Sequence, residues 1–220
     1  MCTGKCSTFI GVSLFPVSLV CVAANLMMFF PDGSREYLEN AEEQITQEVR
    51  NLGGVIGGGL LVLFPAIHII ATGRMSCCSN RCGMLMSILL ALVGIGGALF
   101  GFLMSIIGLL RGPVCQFDSS YFTDDLSKPS LVWGRPFSEE LKTISNESYL
   151  LHRDIWNICV APPNVVLFNV ILFSIIMVAT GAEIILCAIQ TVNGLFGCIC
   201  GTCQNEKSEN RDKEKMIELP

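Results

Sequence analysis

Four long apolar stretches, at residues 9–30, 52–72, 84–110 and 165–192, constrain this chain more than any other feature. Each holds about 20 residues or more, enough to cross a hydrocarbon layer of about 30 Å at about 1.5 Å per helical residue. Lipid offers no hydrogen-bond partners, so the crossing segments must satisfy their own backbones as helices. The expected architecture is an all-α, four-transmembrane-helix bundle. Between and around the spans lie an N-terminal segment (1–8), a small loop (31–51), a very short loop (73–83), a large loop (111–164) and a tail (193–220).

Composition agrees with a membrane bundle. Hydrophobic residues make up 51% of the 220 and charged residues 15%, which favours a bundle over a soluble domain. The formal charge of −5 and the lack of a basic stripe argue against nucleic-acid binding. Residues 9–30 extend past the small residues Val22-Ala23-Ala24 through Phe29 and Phe30. That run is long for a cleaved signal peptide and reads as an uncleaved signal-anchor.

Lys and Arg divide evenly between the two sides and leave orientation open. Lys5, Arg74, Arg81, Lys207, Arg211, Lys213 and Lys215 stand against Arg35, Arg50, Arg111, Lys128, Arg135, Lys142 and Arg153. Arg74 and Arg81 flank the shortest loop, which weights that loop toward the cytosol. Asn146-Glu147-Ser148 is a glycosylation sequon, and glycosylation requires the lumenal side. Cys115 and Cys159 are the only cysteines of the large loop and bracket it, which reads as a disulfide. Both termini and the 73–83 loop are therefore expected in the cytosol. The 111–164 loop is expected outside, disulfide-closed and partly helical.

The other ten of the twelve cysteines fall into two groups. Cys21 and Cys187 sit within apolar runs and read as small packing residues. Cys2, Cys6, Cys77, Cys78, Cys82, Cys198, Cys200 and Cys203 gather at the cytosolic membrane face, where thiols are placed for S-palmitoylation. Zinc is the competing reading, but the paired C-x-x-C…C-x-x-C pattern is absent. No metal or other cofactor is expected.

Within the membrane, small residues recur at four-residue spacing. Gly53/Gly57 and Gly54/Gly58 leave one face of the second span nearly bare, as do Gly94/Ala98 and Gly97/Gly101 in the third. Such faces let helices approach closely. Contact between these two spans is the first expectation and a homodimer face the alternative. Pro16 and Pro65 are expected to kink their helices. Depth along the spans suggests two polar layers: Asn25 with Asn169 at roughly 6–8 Å below the outer boundary, and His68 with Glu183 about 24–27 Å from it. An intramembrane carboxyl is costly alone, so Glu183 is expected to be held by His68 or by a neutral donor, with snorkelling to headgroup water as the alternative.

In the small loop, turn chemistry at Pro31-Asp32-Gly33-Ser34 precedes Leu38, Ala41, Ile45 and Val49. Their spacing predicts a short amphipathic helix. Its other face would be solvated and acidic, with Glu36, Glu39, Glu42, Glu43 and Glu48. In the large loop, residues 116–136 read as irregular and 138–158 as helical, and its aromatics read first as a small core over the membrane. Trp133, Tyr149 and Trp156 are the candidates for partner contact. The tail after Cys203 is polar and reads as disordered. With only two histidines and no G-x-S-x-G, H-E-x-x-H, P-loop or Rossmann fingerprint, no catalytic set is expected.

Several stretches together resemble the L6 branch of the four-transmembrane proteins, the L6 tetraspanins. They include Met-Cys-Thr-Gly-Lys-Cys at 1–6, Ala24-Asn25 before Phe30-Pro31-Asp32-Gly33, and Gly57-Gly58-Gly59-Leu60 leading to Pro65-Ala66. Further on are Cys77-Cys78 with Arg81-Cys82, Gly112-Pro113-Val114-Cys115, and Tyr149-Leu150-Leu151 with Trp156, Cys159, Pro162, Val165-Val166 and Asn169. Leu186-Cys187 and Gln190 through Gly194 extend the likeness to the end of the fourth span. The large loop lacks the Cys-Cys-Gly signature and the four cysteines of true tetraspanins. Phe168 stands where a Trp is common, and Asn169-Val170-Ile171 is not a sequon. The resemblance implies a plasma-membrane or endolysosomal protein that organises integrins, receptors and related four-helix proteins and so influences adhesion, migration or proliferation. A second reading from the residues is a sensor or carrier of a small molecule, lipid or amino acid, held between helices near the glycine face, Asn25, His68 and Glu183.

Overall fold

The computed structural model describes residues 3–74, 81–118, 131–137 and 148–217. Four candidate membrane spans are present among them: Cys6–Met27, Gln47–Ala71, Leu85–Arg111 and Val165–Cys198. The first lies on α1 (Thr3–Met27). Short α2 (Ala41–Gln44) and α3 (Gln47–Arg50) follow it, and the second span continues into α4 (Leu61–Arg74). The third and fourth spans lie on α5 (Arg81–Arg111) and α6 (Val165–Ile217). α1 packs on α4 and α6, and α5 packs on α4 and α6, so the four long helices close a ring. Pro16 and Pro65 both lie inside helices that continue through them.

The second span departs from the simple α-helix expected of it. Gly53–Leu60 is a π-helical segment, entered through Leu52 in the left-handed conformation at φ 53°. Its sequence, Gly-Gly-Val-Ile-Gly-Gly-Gly-Leu, holds five glycines. Without side chains to fill the turn, the backbone can widen and lie close to its neighbours. Asn25 of α1 accepts a hydrogen bond from the Val55 N–H at 3.2 Å, at the start of the wide turn.

The glycines face two ways. On one side Gly53 and Gly57 meet α5: a Cβ added at Gly57 would stand 2.6 Å from the Gly97 carbonyl oxygen and 2.8 Å from the Gly101 nitrogen. On the other, Gly54 and Gly58 meet α1 and α6. A Cβ at Gly54 would lie 2.7 Å from the Asn25 Cβ, and one at Gly58 would lie 2.7 Å from a Thr180 methyl. Gly97 and Gly101 in turn face Gly57, Leu61 and Gly53. The expected contact of second and third spans is therefore made within the chain, and the same segment also receives α1 and α6.

Two core clusters stack along the bundle. The outer one joins Ala24, Met28, Ile45, Val49, Leu109, Leu172, Phe173 and Ile176. The other joins Ile10, Leu14, Val62, Ala66, Ile69, Ala98 and Cys187. α6 does not stop at the end of the span. It runs as one helix of 53 residues to Ile217, where a disordered tail was expected. Glu, Lys and Arg are good helix formers, and the stretch beyond Cys203 holds no Gly or Pro before Pro220 to stop the helix.

Outside the membrane, the small loop is several short pieces and not one amphipathic helix. Ile45 and Thr46 adopt extended ψ angles of 134° and 138° and separate α2 from α3. Ile45 and Val49 are nevertheless buried, as their spacing suggests. In the large loop the irregular segment expected at 116–136 contains a two-stranded antiparallel ribbon, β1 (Cys115–Asp118) and β2 (Leu131–Gly134), pairing Gln116 with Trp133. Gln116 also bridges to Ala161 on its other side. The Cys115–Cys159 disulfide closes the loop with a Cα–Cα distance of 5.5 Å. Of the helical segment expected at 138–158, residues 138–147 lie outside the described residues, and Arg153–Ile158 forms a 3-10 helix.

The glycine contacts give opposite expectations for two alanine substitutions. Gly57→Ala would drive a methyl group into backbone atoms that cannot rotate away, and is expected to destabilise the bundle by about 1–3 kcal/mol. Gly96→Ala meets nothing within 4 Å and is expected to be neutral or to stabilise by up to about 1 kcal/mol through helix propensity. Thermal unfolding midpoints of the two variants in detergent check this. Equal midpoints would remove the argument for a space-limited seam.

Candidate functional site

The residues singled out from the sequence lie in three places: the outer layer, the polar positions inside the bundle, and the membrane face opposite the disulfide-closed loop. In the outer layer, the controlling group is one that sequence reasoning misplaced. Glu48 was assigned to a solvated acidic face, but its side chain is only 3% exposed. Its four companions Glu36, Glu39, Glu42 and Glu43 are exposed as expected. α3 turns Glu48 inward beside Val49, where Arg135 meets it through two hydrogen bonds of 2.6 and 3.1 Å. Arg111, at the end of α5, adds a third at 3.3 Å. A planar guanidinium matches a carboxylate bidentately and fixes orientation as well as distance. The carboxylate thus joins the small loop, the large loop and the third span.

Tyr149 is a second tie. It was a candidate for partner contact, and its burial corrects this: it is 4% exposed. Its hydroxyl donates to the Leu109 carbonyl at 2.6 Å, and its ring stacks on Phe137 at 4.7 Å. Burial pushes its phenol above the ordinary range, so it stays a neutral donor. The Trp156 indole donates to the Tyr149 carbonyl at 2.9 Å. Phe117, Phe137 and Tyr149 are buried with Cys115, Val165 and Val166 in a small core above the spans. Trp156 and Trp133 are half-buried. Arg153 stands 5.7 Å over the Trp156 ring, and Trp133 meets Tyr37 edge-on at 6.1 Å. Asn146 lies outside the described residues.

Inside the bundle the two expected polar layers form differently. Asn25, 1% exposed, serves the π segment, while the Asn169 side chain donates to its own helix at Val165 O, 3.0 Å away. No hydrogen bond joins the two. Glu183 is fully buried, so it does not snorkel. A neutral donor holds it: the Cys21 thiol approaches Oε1 at 3.8 Å. The other oxygen, Oε2, has no hydrogen-bond partner, and neither has Nδ1 of half-buried His68, so these two atoms do not pair. Sequence reasoning overlooked Gln190. It is buried and donates to Ser7 and Ser87, each at 3.0 Å, tying α6 to α1 and α5. The available signal was the depth of Gln190, Ser7 and Ser87 near the same ends of their helices.

At the glycine face, atoms of neighbouring helices stand within contact distance of Gly53, Gly54, Gly57 and Gly58. Among the described residues, an open apolar groove of about 510 Å³ lies between α1 and α6, lined by Val17, Val20, Ile175 and Val178 among others. Another, about 460 Å³, is lined by Leu26, Met27, Phe30, Gly33 and Phe168. Neither reaches Glu183 or His68. Among the described residues no three His, Cys, Asp or Glu side chains converge on a metal position. Of the palmitoylation candidates, Cys6 and Cys198 are half-buried thiols. Cys82 lies on α5 and Cys200 and Cys203 on α6. Cys2, Cys77 and Cys78 lie outside the described residues.

Two measurements follow from these contacts. Glu48→Ala removes three charge-assisted hydrogen bonds and is expected to cost about 2–3 kcal/mol, whereas Arg111→Ala, from a largely exposed side chain, is expected to cost under about 1 kcal/mol. Comparable losses would contradict the burial difference. In the bundle, thermal double-mutant cycles should find Cys21→Ala and Glu183→Gln coupled by about 0.5 kcal/mol or more, and His68→Phe and Glu183→Gln additive within about 0.5 kcal/mol.

With this geometry in view, known proteins supply a context. The L6 membrane protein family matches residues 1–204. Transmembrane 4 L6 family member 5 of Bos taurus is 38% identical over 216 residues, covering 96% of this chain and 100% of that protein. Human transmembrane 4 L6 family member 1 is 36% identical, covering 95% of this chain and 98% of its own. Human member 4 is also 36% identical, over 93% and 95%. No solved structure matches the chain. Four apolar spans, one disulfide-closed loop and likeness over nearly the whole length agree: the chain is an integral multi-pass membrane protein of the L6 membrane protein family.

Proposed function

We propose that this protein is a non-enzymatic membrane organiser that binds receptors or adhesion proteins laterally and so modulates adhesion, migration or proliferation signalling. Family membership supports a membrane-associated adaptor role. The observation that carries the reading is the rigid coupling of the outer layer to the spans through Glu48 and Tyr149. A scaffold acts by holding a surface in fixed relation to its helices, and these ties supply that relation.

The reading places the protein in the plasma membrane or the endolysosomal system. Membrane lipids, integrins, receptors and four-helix relatives are its partners by resemblance, and a homo-oligomer fits the same role. Acylation of the cysteines at the membrane face would bias it toward clusters. Trp133 and Trp156, both partly exposed, remain the aromatic candidates for partner contact, and Asn146 the glycosylation candidate. The carrier reading draws less support, because neighbouring helices meet the glycine face and neither groove is lined by Asn25, His68 or Glu183.

Affinity purification in a mild, cluster-preserving detergent tests the proposal. Wild type is compared with a variant in which Cys2, Cys6, Cys77, Cys78, Cys82, Cys198, Cys200 and Cys203 are all Ser. Membrane-protein partners that accompany wild type and fall away from the variant are expected. A monodisperse protein without partners in both forms, retaining a lipid or metabolite, would overturn the organiser in favour of a carrier.

A further inference from the structure

Ten residues of the large loop combine exposed apolar groups with a cation in a position that the bundle itself fixes. Leu151 is 81% exposed and Val160 58% exposed. Between them, in the 3-10 helix Arg153–Ile158, Arg153 stands over the half-buried Trp156. Isolated exposed Leu or Val residues need no explanation. Here the height of the segment gives them one.

Three contacts set that height. The Tyr149 hydroxyl reaches the Leu109 carbonyl, two residues from the end of the third span. Leu150 packs against the outer core cluster that contains Leu109 and Leu172. At the far end of the segment, the Val160 N–H donates to Gln116 at 2.9 Å, and Val165 opens the fourth span five residues later. Leu151 directly follows Leu150, so its backbone lies within about 4 Å of a residue packed on the outer core cluster. The headgroup region adds only about 5–8 Å beyond the hydrocarbon on each side. The segment therefore sits at the level where lipid tails give way to headgroups. Leu110, next to the end of the third span, and Leu167, two residues into the fourth, are likewise exposed, at 64% and 43%.

We propose that residues 151–160 form an interfacial anchor that beds the large loop into the outer leaflet. Leu151 and Val160 enter the acyl boundary, and the Arg153 guanidinium, held over Trp156, meets a phospholipid phosphate. Side chains of this kind suit the interface: an apolar body below and a charged or polar tip above. The occupant of this surface is outer-leaflet phospholipid, and the anchor holds the loop down beside the spans.

The test uses the full chain reconstituted in phosphatidylcholine bilayers whose acyl chains carry bromine near the carbonyl end or near the methyl end. Trp133 and Trp156 are the only tryptophans, so Leu151→Trp in a Trp133→Phe, Trp156→Phe background carries a single reporter. An interfacial apolar group lies roughly 5–10 Å into the boundary, so near-carbonyl bromine is expected to quench its emission about twofold relative to unbrominated lipid, and methyl-end bromine less. Should that variant fail to form the Cys115–Cys159 disulfide on a non-reducing gel, Trp133→Phe alone leaves Trp156 as the reporter inside an unaltered segment, with the same ordering expected. Emission insensitive to both brominated lipids but quenched by acrylamide in water would overturn the anchor and leave the surface facing solvent or a protein.

Discussion

A bundle in lipid gains nothing from hiding apolar side chains, since the surrounding acyl tails are equally apolar. Its helices must instead be held by close contact and by the few polar groups they can share. The Gly53–Leu60 segment is where that requirement is met, because it touches each of the other three long helices. Backbone meets backbone at Gly57 and Gly97, and a methyl group of Thr180 and the thiol of Cys21 occupy the space over Gly58. A conventional helix of larger residues could not admit three neighbours at this separation. The widened turn then needs support for its displaced amides, and the Asn25 side chain gives it to one of them, at Val55.

Polar groups in the membrane divide by what they bind. Ser105, Asn169, Ser174, Thr180 and Thr191 each donate back to a carbonyl one turn earlier on their own helix. Such bonds satisfy the side chain without committing the helix to a neighbour. Asn25, Glu183 and Gln190 instead reach across helices, and each involves α1. The first helix, which has neither a glycine seam of its own nor a loop-closing disulfide, is thus located by hydrogen bonds at three depths.

How much of this could be read in the sequence depends on the range of each interaction. Spans were legible because transfer into lipid is a sum over neighbouring residues. The disulfide was legible because the large loop offers only Cys115 and Cys159. The glycine spacing showed that close approach would occur, but not that the backbone would widen, since that depends on what α1 and α5 place against it. Glu48 was misread because periodicity assigned it to a helix that Ile45 and Thr46 interrupt. Its partner Arg135 is 87 residues away, and no local pattern announces it. The β1–β2 ribbon was missed for the same reason, as four-residue strands carry little alternation to detect. The continuation of α6 is a different kind of miss. Low apolar content points to disorder, while helix propensity and pairs such as Glu209 and Lys213 at four-residue spacing point to a helix.

The outer layer shows why burying Glu48 is consistent with stability. A lone carboxylate at 3% exposure would carry an uncompensated desolvation cost. Two guanidiniums supply more donors than its oxygens require, and both can reach water, at 20% and 59% exposure. Arg111 therefore keeps much of its hydration and Arg135 part of it, so the carboxylate is the most desolvated charge of the three. Because those partners come from the end of α5 and from the segment after β2, moving either loop alone would strand the carboxylate. The Tyr149–Leu109 bond imposes the same condition from the far side of the disulfide loop. A tilt of the third span is thus transmitted to both outer segments together.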